Sequence, residues 1–262
     1  MSRHSISVAA ATLTVLSLVS LSARAETVNQ TLDGKSLAVD VTCVDQVEIQ
    51  PQADLAGKVT VEATSTKDGE LKDFVFAGGE TASVRRDHHT CITLSIERPK
   101  IRVSIHVPAG MPIDIRNGGS TDYVIGAVGG VLHAQMSGSG NLKAEHVTDL
   151  GLGISGSSDV RIGQATGPTE IRISGSGDVK IGNADMPGLK IDVRGSGSVS
   201  IDQGQVGALT ASVAGSGDLR IKATAGDATL STVGSGDIDV AKVTGKLINN
   251  KVGSGTIRVG KS

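Results

Sequence analysis

Apolar and polar residues alternate in short runs along most of the chain, and no run has the three-to-four residue spacing of a helix. In the C-terminal part the runs come in pairs. Leu152-x-Ile154, Ile171-x-Ile173, Ile191-x-Val193, Ala211-x-Val213 and Leu230-x-Thr232 each precede a glycine-rich segment. Val160-x-Ile162, Val179-x-Ile181, Val199-x-Ile201, Leu219-x-Ile221, Ile238-x-Val240 and Ile257-x-Val259 follow such segments. Period-two alternation gives a strand one buried and one wet face, so each pair predicts two strands joined by a tight turn.

The turns repeat. Gly138-Ser139-Gly140-Asn141, Gly156-Ser157-Ser158-Asp159, Gly175-Ser176-Gly177-Asp178 and Gly195-Ser196-Gly197-Ser198 begin the clean series. Gly215-Ser216-Gly217-Asp218, Gly234-Ser235-Gly236-Asp237 and Gly253-Ser254-Gly255-Thr256 complete it. The first glycines stand 18, 19, 20, 20, 19 and 19 residues apart, and Gly119-Ser120-Thr121-Asp122 is a degenerate eighth copy one period earlier. A second glycine column, Gly129, Gly167, Gly188, Gly207, Gly226 and Gly245, falls between units. A unit of this size cannot bury its own apolar face, whereas stacking on its neighbour does so. Propeller blades need roughly 40–50 residues. The near-constant period and the agreement in side-chain type at equivalent positions instead predict an all-β parallel β-helix, or β-solenoid, with coils of about 19 residues. Glycine would let the chain bend at the corners without a Cβ. Eight coils at about 4.8 Å each make a rod near 40 Å. In the last coil Asn249 and Lys251 stand where others have Ile, Leu or Val, which suits an exposed rod end.

Three segments follow. Residues 1–25 read as a secretory signal: basic Arg3 and His4, an apolar run from Ile6 to about Leu21, and the cleavage site Ala23-Arg24-Ala25. Residues 26–112 alternate less regularly and read as wider coils or a cap continuous with the array; residues 113–262 are the regular repeats. The expected location is the periplasm or the outside of the cell. No later segment resembles a transmembrane helix, so an integral membrane protein is not expected.

Composition narrows the function classes. Without residues 1–25 the chain keeps 23 of its 25 basic residues against 27 acidic ones, a net charge of −4, which argues against a nucleic-acid partner. Gly numbers 35, Trp is absent, Tyr occurs once and Phe twice. The core must be aliphatic, and the aromatic anchors usual at binding surfaces are scarce. Cys43 and Cys91 are the only cysteines, and in an exported chain they are disulfide candidates. A bridge would close 47 intervening residues and restrict the unfolded chain by about 4 kcal/mol in the loop-entropy model.

Candidate chemistry centres on the turn aspartates Asp159, Asp178, Asp218 and Asp237, which stacking would place one coil apart. Calcium takes carboxylate and carbonyl oxygens, so these are the weak candidates for a calcium site; otherwise no cofactor is expected. Arg161, Lys180 and Arg220, two residues on, offer the charges a lateral partner instead. His88, His89, His106, His133 and His146 lack metal-ligand spacing. No G-x-S-x-G elbow or phosphate loop is present, and no catalytic residues are assigned.

The motif Ser174-Gly175-Ser176-Gly177-Asp178-Val179 recurs at Gly215–Leu219 and Gly234–Ile238, with Ala214 and Val233 in the leading serine position. With the opening segment Val44-Asp45-Gln46-Val47-Glu48-Ile49, it resembles the bacterial GIN-domain family, described as autotransporter-adhesin head domains, over roughly residues 36–260. The resemblance implies a β-helical fold and brings no catalytic residues. The function expected from all this is a non-enzymatic envelope protein, a rigid scaffold or adhesin-like binding module whose partner is an envelope protein or glycan. The alternative is a carbohydrate-active β-helical lyase or hydrolase.

Overall fold

The computed structural model describes residues 25–86 and 98–260. Among them there is no helix, and twenty strands form one continuous sheet. The N-terminal strands are β1 (Glu26–Asp33), β2 (Ser36–Asp40), β3 (Gln46–Pro51), β4 (Lys58–Ser65), β5 (Phe74–Ala77), β6 (Thr81–Arg86) and β7 (Ile101–Val107). Next come β8 (Ile113–Asn117), β9 (Asp122–Ile125), β10 (Leu132–Met136), β11 (Leu142–Val147), β12 (Leu150–Ile154), β13 (Val160–Ala165) and β14 (Thr169–Ile173). The last are β15 (Val179–Gly195), β16 (Val199–Gly215), β17 (Leu219–Gly234), β18 (Ile238–Val243), β19 (Leu247–Gly253) and β20 (Ile257–Val259).

Equivalent strands of successive units pair in parallel, as the period predicts. Leu132 stands over Ile113, Leu150 over Leu132, Thr169 over Leu150 and Leu189 over Thr169. The strands after the turns stack likewise, from Tyr123 through Leu142, Val160, Val179, Val199, Leu219 and Ile238 to Ile257. About eight turns some 19 residues apart make the β-solenoid. The inward residues of one coil are Val179, Ile181, Ala184, Met186, Leu189, Ile191 and Val193. The alternation steps by three from Ile181 to Ala184 and from Met186 to Leu189. Both steps interrupt the in-and-out alternation within the single strand β15.

The turn glycines are explained by close approach. A Cβ built on Gly138, Gly175 or Gly215 would fall on the carbonyl oxygen of the glycine one coil below. Gly177, Gly217 and Gly236 meet the next carbonyl in the same way. Bending is the smaller reason, because of the turn glycines only Gly195, Gly215, Gly234 and Gly253 have positive φ. With no Cβ in the way, the ladder of backbone bonds runs through the turn itself: Ser139 N–H to Gly119 C=O at 3.0 Å, Ser157 to Gly138 at 3.0 Å, Ser216 to Gly195 at 2.9 Å.

The N-terminal part departs from sequential stacking. β2 pairs in parallel with β6 on one side and β8 on the other, and β3 with β7 and β9. The first coil of the chain is therefore interior. The second coil lies outside it, and residues 108–112 carry the chain back across. Beyond β6 and β7 the sheet ends in antiparallel strands: β5 on β6, and β4 on β7 with β1 outermost. Arg86, only 5% exposed, lies at this end over the Phe74 ring at 5.4 Å. It donates to the carbonyls of Thr42, Cys43 and Glu70. Burial lowers its pKa, while Asp73 and Glu70 oppose that shift. At the other end β19 is exposed along its whole length, Asn249 and Lys251 included.

Replacing Gly217 with alanine should destabilise the fold by about 1–3 kcal/mol, the usual range for overpacking, because the coil spacing would have to open. Ser216→Ala, on an exposed side chain, should stay within about 0.5 kcal/mol of wild type. Chemical denaturation of the two variants measures the difference.

Candidate functional site

The four turn aspartates are stacked, but each carboxylate is engaged. Asp159 Oδ1 accepts the backbone N–H of Asp178 at 3.3 Å, and Asp178 Oδ1 accepts that of Ser198 at 2.8 Å. Asp218 Oδ1 accepts the N–H of Asp237 at 3.0 Å, and Asp237 Oδ1 that of Thr256 at 2.7 Å. The residue ending each turn directs its N–H along the rod axis, where the coil below presents no carbonyl to it. The aspartate below supplies the missing acceptor, a charge-assisted bond stronger than a neutral one. Its place in the motif thus has a structural cause.

Sequence reading missed three aspartates that use the same device. Asp45 Oδ2 accepts the Ile101 N–H at 2.7 Å, Asp122 Oδ1 the Asn141 N–H at 2.8 Å, and Asp227 Oδ1 the Lys246 N–H at 2.7 Å. The legible signal was an Asp directly before an alternating strand. Asp227 performs at a different corner what the others perform at the turn.

Basic side chains neutralise part of the outer surface. Arg161 lies 3.9 Å from Asp159, and Arg258 lies 3.3 Å from Asp237 and 3.2 Å from Asp239. Lys180 turns away from the turn column to Asp202, at 2.9 Å. The Thr256 N–H first, and Arg258 behind it, hold the Asp237 carboxyl below the usual range. Asp202 is lowered by Lys180 and Lys222, and Glu170 by Lys190 and Arg172. Among the described residues no three His, Cys, Asp or Glu side chains are grouped to hold a metal ion. His88, His89 and Cys91 lie outside the described residues. Cys43 stands where the next coil has Gly119, and it adopts a left-handed φ of 59°.

A concavity lies elsewhere, on the outer face of β6, β2, β8 and β10. It encloses about 650 Å³, within the range of small-molecule sites. Half-buried Ser36, Ala38 and Ser83 form its floor. Register aligns Arg85, Asp40 and Arg116 across three neighbouring strands, and Asp114 with His133 across the next pair. None of these residues was singled out as a site from sequence apart from His133, which was considered only as a metal ligand.

Residues 33–225 and 151–262 match the family model described as "Putative auto-transporter adhesin, head GIN domain". No curated protein matches the chain in sequence. Among solved structures, a "putative adhesin" from Parabacteroides distasonis is similar at 18% identity and a TM-score of 0.53, covering 90% of this chain and 97% of its own. A "putative lipid binding protein" from the same species has 14% identity and a TM-score of 0.53, covering 91% and 96%. A "putative adhesin" from Parabacteroides merdae has 14% identity and a TM-score of 0.51, covering 91% and 96%. Likeness at these identities concerns the fold.

Asp178→Ala should cost about 0.5–1.5 kcal/mol, the net worth of one hydrogen bond in an exposed setting, and excess calcium or chelator should leave the melting midpoint of the wild type unchanged. A midpoint raised by calcium would restore the metal reading of the aspartate column. The lowered pKa of Asp237 gives a second expectation. Its stabilising effect is complete above the ordinary aspartate value of about 4 and is lost as pH falls through the lower folded value. Asp237→Asn should therefore flatten the acid limb of a melting-midpoint profile against pH.

Proposed function

Because the chain belongs to the family of auto-transporter adhesin head GIN domains, we propose that it is a non-enzymatic envelope protein, an adhesin-like binding module on a rigid β-helical rod. The observation that carries this reading is the engagement of the aspartates. The residues that hydrolytic or metal chemistry would recruit, Asp159, Asp178, Asp218 and Asp237, are all spent on backbone N–H groups of the next coil. A carboxylate so held is part of the ladder that joins one coil to the next.

In this reading residues 1–25 are a signal removed on export, residues 26–112 are the irregular coils and cap, and residues 113–262 are the regular solenoid. The protein is periplasmic or secreted, and its partner is an envelope protein or glycan. An oxidising location also suits a Cys43–Cys91 disulfide, which would tie the turn after β2 to the segment between β6 and β7.

Two measurements test the reading. Cell fractionation should place the mature chain, beginning at Glu26, in the periplasm or medium, and mass spectrometry should detect thiol alkylation only after reduction. Immobilised protein should retain a specific component of envelope extract. A cytoplasmic, uncleaved product would overturn the export reading, and turnover on a panel of polysaccharides would replace the binding module with an enzyme.

A further inference from the structure

The concavity over β2 has two chemically different ends. At one end the aligned side chains alternate in sign, Arg85, Asp40, Arg116, each about one strand spacing of 4.8 Å from the next. Asp114 joins them, 3.6 Å from Arg116. The floor is small and its polar atoms are partly satisfied, since Ser36 Oγ and Thr81 Oγ1 bond each other at 2.8 Å. Toward the other end Pro112 and Val131 form the wall.

Pro112 is shared with a second cavity of about 560 Å³. Pro108, Ala109 and Met111 line it together with glycine backbone from the loops at Gly34, Gly57 and Gly79. Its two charged lining groups are Asp33 and Lys35, and Asp33 already pairs with Lys58 at 2.7 Å. The crossing segment 108–112 creates both spaces. It spans the interior first coil to reach β8, and so stands as a ridge beside β2.

From these observations we propose that the two adjoining cavities, which share Pro112, act as one trough and bind a single-chain amphiphile with a zwitterionic phosphate-and-amine head. The proposal rests on the binding-module reading above and assigns that module a site and a ligand class. The head lies over the alternating row, its phosphate toward Arg116 and its amine toward Asp40 and Asp114. The hydrocarbon chain runs over Pro112 toward Pro108 and Ala109. A purely anionic head meets both carboxylates, and a purely cationic one meets both guanidiniums. A neutral sugar finds no aromatic face to stack on: Tyr123 is only 1% exposed, and Phe74 and Phe76 stack on each other at the end of the sheet.

The test uses the full chain purified without detergent and titrated calorimetrically with dodecylphosphocholine below its micelle concentration. Saturable binding at one site is expected, at least tenfold weaker in Ala38→Trp, which fills the floor, and weaker in Arg116→Ala. Both variants should keep the wild-type circular dichroism and melting midpoint. Phosphocholine alone should bind at least tenfold more weakly than the dodecyl compound; equal binding would mean a free head-group site and overturn the proposal. Equal or tighter binding of octyl glucoside or dodecyl sulfate would overturn it too, as would no binding or binding indifferent to Ala38→Trp. Envelope capture that persists without dodecylphosphocholine binding would sink the trough alone. Dodecylphosphocholine binding without envelope capture would sink the module's envelope partner alone.

Discussion

One contact governs this molecule: the carbonyl of one coil lies where the side chain of the next would begin. The turns of neighbouring coils are hydrogen-bonded directly, backbone to backbone, which removes the Cβ from both outer positions of each Gly-Ser-Gly. The same spacing runs up the strands, so every inward side chain sits on its counterpart above and below. A coil of about 19 residues encloses a narrow interior. Val, Ile, Leu and Ala fill it in stacked columns, and the scarcity of aromatics follows. Tyr123, the exception, is buried with no hydrogen-bond partner for its hydroxyl among the described residues, and burial, with the Asp40 charge, raises its pKa. A buried hydroxyl left so costs free energy, which accounts for Leu, Val and Ile in the same column elsewhere.

Side chains near the two ends do different work from those in the middle. The inward position just before each turn is apolar through Met136, Ile154, Ile173, Val193 and Val213. At Asn117 and Thr232 it is polar. Asn117 donates to the Thr121 carbonyl at 3.0 Å and accepts the Gly119 N–H at 3.1 Å, and Thr232 donates to the Gly236 carbonyl at 2.8 Å. At the N-terminal end Arg86, next in register after Arg85, spends its guanidinium on three carbonyls. The coils of Asn117 and Thr232 both keep a parallel neighbour on each side, so their hydrogen bonds brace the turn from within in addition to the packing.

Much of this was written in local pattern. The turn copies, the inward columns from Val160 onward and the parallel stacking follow from periodicity, because each coil repeats one environment. The crossing of the first two coils was not legible. β2 lies between β6 and β8, and nothing in Ser36–Asp40 marks it as interior rather than terminal. The aspartates were legible as a carboxylate column, while the N–H groups it serves appear only when coils are stacked. The trough was invisible for a related reason. Its lining comes from Ser36, Arg85, Pro112 and His133, distant in the chain and unremarkable one by one.

The interior position of the first coil constrains the order in which the chain can fold. β2 and β3 emerge early but remain unpaired on both edges until β6 and β7 have formed on one side and β8 and β9 on the other. A ribosome or translocation channel that has released only the first coil has released nothing able to close. The regular coils after Ile113 each need only the coil before them and can zip in sequence. The slow step therefore belongs to residues 36–125, where loop closure over long separations must precede any reward from contact. The interleaved N-terminal strands set the pace, and the rod follows them.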